Sequence, residues 1–311
     1  MDNNVSIILK NRTYIMGLSM IFIIMSHQPF LLSVPFKIFH FLGHFGVDAF
    51  FFLSGLGCYY SLNKRKTIDF YKRRLIRLIP IIVFCGTAKY LLTYSGLFPF
   101  SEQDLGAEAI FGFDLWFFRP LVTYYLLSPL LMHILKDYPL AKILILLYSM
   151  SLIGIYIDCL GIYFSWGMSR LPSFVIGMMI GMGKLTISEN MKKYSILLPI
   201  LALAFRVFAL KYLSSADELI TYLILSFSIS YICLYSTKLV SAFRSLKLYG
   251  IIEITGLMTL ELYLWHEYIF HSFILFDLPP VVSFVFALIV SYALAFMSKK
   301  IVDLVFKMQR T

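Results

Sequence analysis

His27, His44, Asp48 and His266 are the residues best suited to move a proton, because each lies within or beside a long apolar run. An ionisable side chain held in lipid costs a few kcal/mol or more, so it serves either as a bond to a neighbouring helix or as a working group. His27 stands 15 residues past Arg12, which is about 22 Å along a helix and reaches the outer half of a bilayer. His44 and Asp48 are four apart and share one helix face. On a run that returns inward, Asp48 comes to a depth close to that of His27. A carboxylate beside an imidazole orients the ring and raises its basicity. His266 lies 16 residues into a later run and falls in the outer half as well. Three histidines and an aspartate can thus line one outward-facing cavity, where the chemistry would be general acid–base catalysis. The competing reading for each is a plain hydrogen bond between helices.

A second group is basic: Tyr71-Lys72-Arg73-Arg74-Leu75-Ile76-Arg77-Leu78-Ile79-Pro80, read as an inner loop. Arg73 and Arg77 share a helix face, and guanidinium forks suit phosphate oxygens. Membrane orientation and lipid headgroups account for the same charge equally well. Single charges also fall inside apolar runs, at Lys89, Arg119, Arg206, Glu253 and Glu261. Four cysteines, Cys58, Cys85, Cys159 and Cys233, are scattered and read as buried free thiols. Their spacing fits neither a zinc nor a redox motif, and no metal is expected.

The elements that position these residues follow from composition. Of 311 residues, 60% are hydrophobic and 14% charged, and the mean hydropathy is +0.82. A soluble domain of this size has too little polar surface to hide such a chain. In lipid the backbone must satisfy itself, as a helix or a closed barrel. The apolar stretches are long and continuous rather than alternating, which selects helices. The expectation is an all-α, polytopic integral membrane bundle of about ten spans. They fall near 12–32, 42–61, 76–97, 115–134, 141–159, 171–184, 194–210, 219–237, 250–271 and 280–298. The sixth is short for a hydrocarbon core of about 30 Å. The first follows a polar start and reads as a retained span, not a removed signal peptide.

The net charge of +10 belongs to this topology and not to nucleic acid. With the N-terminus inside, most of the 27 Lys and Arg residues fall on inner segments: Lys10 and Arg12, then Lys64 to Arg77, Lys136 and Lys142, Lys184 to Lys193, Lys238 to Lys247, and the tail from Lys299. The outer loop after the third span carries Glu102, Asp104, Glu108 and Asp114 and no Lys or Arg. Both termini are therefore expected in the cytoplasm.

The motifs resemble those of the acyltransferase-3 membrane acyltransferases. Gly46-Val47-Asp48-Ala49-Phe50-Phe51-Phe52-Leu53-Ser54-Gly55 is similar to that family's second-span signature. His27 precedes it, and a Lys-Arg-Arg-x-x-Arg-x-x-Pro segment, Lys72 to Pro80, follows. Leu115-Trp116-Phe117-Phe118 with Tyr124 and Pro129, the block from Arg170 to Gly181, and Leu260-Glu261-Leu262-Tyr263-Leu264-Trp265-His266 continue the resemblance. One departure stands out: the family usually carries an Asp and an Arg upstream of the first-span His, where Thr13 and Met16 stand here, although Gly17 matches.

The resemblance implies one membrane acyltransferase domain over 1–311, without the extracytoplasmic esterase-like domain that some members carry, in a bacterial cytoplasmic membrane. It implies transfer of an acyl group, acetyl by default, from cytoplasmic acyl-CoA to a hydroxyl of a surface or exopolysaccharide glycan. His27, Asp48 and His266 would then be catalytic. Arg73, Arg74 and Arg77 would hold the donor, and His44, Trp116, Arg170 and Tyr263 would bind substrate. The donor is acetyl-CoA or another acyl-CoA, with no metal. The partners implied are the lipid bilayer, acyl-CoA and a glycan acceptor, with self-association left open and nucleic acid excluded. A transporter or flippase of a polar envelope precursor is the main rival, and a membrane scaffold or sensor the third reading.

Overall fold

The computed structural model describes residues 3–30, 34–97, 115–139, 142, 143, 149, 170–185 and 249–308. All regular structure among them is helical: α1 (Asn3–Lys10), α2 (Arg12–His27), α3 (Val34–Lys64), α4 (Thr67–Tyr94), α5 (Leu115–Asp137), α6 (Leu171–Gly181), α7 (Tyr249–Leu257), α8 (Thr259–Ile274) and α9 (Pro280–Met308). Among the described residues, three stretches are long and apolar enough to cross a membrane, namely Gly43–Lys64, Thr67–Tyr94 and Pro280–Leu304. The spans expected near 141–159, 194–210 and 219–237 lie outside the described residues, apart from Lys142, Ile143 and Ser149.

Several boundaries differ from the sequence expectation, each for a local reason. The polar start is helical, and α1 leads almost without a break into α2 through Asn11, whose amide N–H bonds the Ile7 carbonyl at 3.0 Å. At the other end, α2 stops at His27 instead of running to 32. Pro29 disfavours the helical conformation in the residue before it. The basic segment Lys72–Pro80 is helix, not loop, and lies within α4 with Pro80 inside. The expected span 250–271 is two helices. They meet at Met258, beyond a Thr255 hydroxyl that bonds the Ile251 carbonyl at 2.7 Å, a bond type that bends helices.

The chain divides into two compact units. The first contains Met1–Ile15, Val47–Tyr71 and Trp116–Tyr249. Its centre is the contact of α3 with α6. Every residue of α6 from Leu171 to Ile180 is buried. A helix apolar all round is one enclosed by protein. The backbones meet closely, since a Cβ on Gly55 would overlap the Phe174 carbonyl oxygen and one on Gly177 would overlap that of Phe52. This is the small-residue contact by which membrane helices gain van der Waals packing. Aromatic rings close around it: Tyr124 lies 5.4 Å from Phe51 and 5.2 Å from Phe174, centroid to centroid. Past the end of α6, Gly183 takes φ +72°. The bonds Gly183 N–H to Ile180 O (3.1 Å) and Lys184 N–H to Met179 O (3.0 Å) form a Schellman cap. The Lys184 ammonium then donates to the Lys136 carbonyl at 2.5 Å, satisfying the C-terminal end of α5 with positive charge.

The second unit contains Met16–Gly46, Lys72–Leu115 and Gly250–Thr311. Here α8 packs along α9. Ser283, Ala287, Ser291, Ala295 and Ser298 are buried, while Val285, Phe286, Ile289, Phe296 and Ile301 are exposed. The buried residues recur at helical spacing as a stripe of small side chains, and the exposed apolar face is the one suited to lipid. The Trp265 indole N–H donates to the Ser298 hydroxyl at 2.8 Å. The Tyr292 and Thr255 hydroxyls pair at 2.6 Å. From α4, Thr93 meets the Tyr268 hydroxyl at 2.8 Å. Replacing Gly177 by leucine is expected to cost about 1–3 kcal/mol through overpacking. Thermal unfolding of the detergent-purified variant should show a lowered midpoint, and an unchanged midpoint would contradict the close helix contact.

Candidate active site

His27 closes α2, and its position at the last helical residue leaves the ring half-buried. Its Nδ1 lies 2.9 Å from the Ile23 carbonyl. A carbonyl can only accept, so this nitrogen carries the ring proton, and the basic lone pair of neutral His27 sits on Nε2. His266 on α8 repeats the arrangement. Its Nδ1 faces the carbonyls of Leu262 at 3.0 Å and Tyr263 at 2.9 Å, so its lone pair is also on Nε2. That Nε2 lies 3.4 Å from His27 Nδ1, and the rings stand edge to face with centroids 5.1 Å apart. Where His27 is half-buried, His266 is 1% exposed.

The structure adds a residue that the sequence reading missed. A carboxylate oxygen of Glu267 lies within 4.8 Å of a ring nitrogen of both histidines. The rule that flags charges inside apolar runs should have found it, since Glu267 follows His266 directly. The three groups have the makings of a base with its orienting partners. His27 can accept a proton at Nε2, His266 turns its Nε2 lone pair toward the opposite nitrogen at 3.4 Å, and Glu267 can supply negative charge to an imidazolium. Tyr263, with its ring centroid 5.6 Å from that of His266, is buried beside it.

Asp48 belongs to the other unit and has partners there. The Arg170 guanidinium donates to its Oδ2 in a salt bridge, and the Ser173 hydroxyl donates to its Oδ1 at 2.9 Å. Asp48 is 0% and Arg170 1% exposed. Two of the predicted site residues are thus brought together, as an ion pair between α3 and the start of α6. Buried so deeply, each charge depends on the other for solvation.

The remaining candidates are distributed over both units. Arg73 and Arg77 are exposed on α4 and Arg74 is half-buried. Glu261 on α8 is within electrostatic range of Arg77, Lys299 and Asp303. His44 is half-buried on α3. Trp116 lies in α5, and its side chain is outside those described. Among the other charges inside apolar runs, Lys89 is buried, with its ammonium 5.7 Å from the centroid of the Tyr268 ring.

Among known families, an acyltransferase domain, that of the acyltransferase-3 family, matches residues 14–299. The chain belongs to the acyltransferase-3 family. No curated protein and no solved structure matches it. This acyltransferase is a membrane protein, and its family match begins before His27 and ends after Glu267, so every candidate above lies inside the matched region. The ion pair offers a direct check on the acyltransferase fold. Removing one partner of a buried pair costs about 3–5 kcal/mol, whereas replacing both by apolar residues costs far less. Arg170→Met should therefore destabilise the acyltransferase more than the double variant Asp48→Leu with Arg170→Met. Equal losses in thermal unfolding would contradict the pairing.

Proposed function

We propose that this membrane acyltransferase is an O-acyltransferase that takes an acyl group, most simply acetyl, from cytoplasmic acyl-CoA and passes it to a hydroxyl of a cell-surface or exopolysaccharide glycan. The observation that carries the proposal is the His27–His266–Glu267 cluster in a chain of acyltransferase family. Acyl transfer to an alcohol requires a base for the hydroxyl proton and an acid for the departing thiolate, and one oriented imidazole serves both needs. His27 Nε2 takes the proton as the acceptor oxygen attacks the thioester carbon. The tetrahedral intermediate then expels the CoA sulfur as the C–S bond breaks, and the imidazolium returns its proton to that thiolate. His266 holds the far side of the ring, and Glu267 offsets the transient positive charge. Tyr263 and His44 would line the acceptor side.

Arg73, Arg74 and Arg77 would receive the phosphates of CoA, which cannot enter hydrocarbon. Glu261, in range of Arg77, precedes His266 by five residues, about 7.5 Å of helix rise. The extended pantetheine arm, about 15–20 Å long, is ample for that interval. This geometry supports a donor entering from the basic end with its thioester near the imidazoles. The topology that goes with the mechanism has about ten spans and both termini in the cytoplasm of a bacterial cell. In support, the C-terminal ends of α5 and α6 meet through Lys184.

Two measurements test the proposal. His27→Ala in purified protein should lower acyl-CoA turnover with acceptor by roughly 10²–10⁴-fold while leaving the protein folded in the membrane. Turnover at the wild-type level would remove His27 from the mechanism. Arg73→Ala combined with Arg77→Ala should raise the donor KM with little change in kcat, and an unaltered KM would reduce the arginines to determinants of topology. A protein that consumed no acyl-CoA at all would point to the transport reading.

A further inference from the structure

We propose that His27, His266 and Glu267 also form an inhibitory site for a divalent transition-metal ion such as zinc. This rests on His27 being the base of the transfer, and it concerns regulation of that same centre. Two imidazoles and a carboxylate, with ligand atoms all within 4.8 Å of one another, make the nitrogen-and-oxygen donor set that suits zinc, nickel or copper rather than calcium or magnesium. Three protein ligands with a further position for water or substrate is the pattern of open zinc sites.

The spacing of the two nitrogens is the sharper observation. His27 Nδ1 and His266 Nε2 are 3.4 Å apart, beyond the usual N–H hydrogen-bond range of about 2.7–3.2 Å. Two Zn–N bonds of about 2.05 Å meeting at the tetrahedral angle span about 3.3–3.4 Å. The nitrogen spacing thus already matches an ion bound to both, at the expense of the His27 Nδ1–Ile23 carbonyl bond, while the Ile23 carbonyl still accepts from the Ser26 hydroxyl at 2.7 Å. His266 is already held for that purpose, because its other nitrogen is bonded to the main-chain carbonyls of Leu262 and Tyr263. Anchoring of this kind fixes the direction of a metal-bound imidazole and strengthens it as a ligand. His27 lies 239 residues before His266 along the chain, so no short motif announces the site.

The consequence is competitive. An ion on His27 Nδ1 shifts the ring proton to Nε2, where it fills the lone pair that the base needs. Zinc should bind as one ion per chain with little net proton release, so the binding enthalpy should be the same in both buffers, because neutral His27 and His266 each keep one ring proton and Glu267 is already ionised. The detergent-purified protein is titrated with zinc by calorimetry in two buffers of different ionisation enthalpy, with acyl-CoA turnover followed in parallel. His133→Ala is included because His133 and Asp137 form an exposed pair at 3.6 Å that could capture zinc by itself. The expected result is one zinc bound in wild type and in His133→Ala, undiminished by excess calcium. In His266→Gln and in Glu267→Gln, affinity should fall by more than the roughly 10–100-fold that loss of an outer-shell partner brings. Turnover should fall as zinc fills the site and return on chelation. Absence of binding to wild type, or binding unchanged in both ligand variants, would overturn the site. Binding without any loss of turnover would overturn its inhibitory role. A wild type without turnover even in chelator would count against the acyltransferase mechanism instead, and the calorimetric result on the ligands would still decide the metal site.

Discussion

In hydrocarbon a polar group has no water to turn to, and both units of this protein are arranged around that deprivation. Asp48 and Arg170 can remain charged inside the first unit because each is the other's solvent, with Ser173 completing the carboxylate's shell. Such a pair adds little net stability compared with apolar residues of the same volume, but losing one member is costly. The two charges meet in the same α3–α6 contact that brings the backbones close at Gly55 and Gly177. The same need for internal partners explains why hydroxyls throughout the second unit bond to carbonyls one helical turn earlier, as Ser272, Ser291 and Ser298 do.

The histidine cluster obeys the rule differently. Each ring spends one nitrogen on the main chain, which satisfies the donor and settles where the lone pair resides. What remains is basic capacity directed by the scaffold. Two rings of the same type then acquire different duties through exposure alone. His266 is enclosed beside His27, while His27, half-buried at a helix end, is the ring that would meet a reactant in the proposed mechanism. Glu267 brings negative charge to the place that would briefly hold a cation in the proposed mechanism. Preorganised partners of this kind lower a barrier without having to reorient during the reaction.

Much of this was legible in the residues. Long unbroken apolar runs dictated helices, and the small-residue stripe of α9 is visible as Ser283, Ala287, Ser291, Ala295 and Ser298 at helical spacing. His27 and His266 were evident as imidazoles where hydrocarbon should be. What sequence could not supply was pairing. Asp48 lies four residues from His44 and suggested an imidazole partner, yet its described partners lie 122 and 125 residues away. Glu267 was overlooked because it sits beside the more conspicuous His266, and adjacency along a helix normally means different faces. The end of α2 was written in Pro29, but hydropathy windows smooth over a single proline. The break at Met258 has a similar origin, since Thr255 reads as an ordinary apolar-run residue until its hydroxyl is seen bonded to the Ile251 carbonyl, a bond type that bends helices.

The claim on which all else turns is that a donor thioester and an acceptor alcohol on opposite sides of the membrane meet at one imidazole. The most direct measurement uses purified protein in sealed vesicles, with acyl-labelled CoA added to the face bearing Arg73 and Arg77 and a hydroxylated glycan confined to the other. Label should accumulate on the enclosed glycan, in step with release of free CoA on the donor side, and should vanish when His27 is replaced by glutamine. Label that reached the glycan equally well without His27, or CoA released with no label crossing, would contradict it.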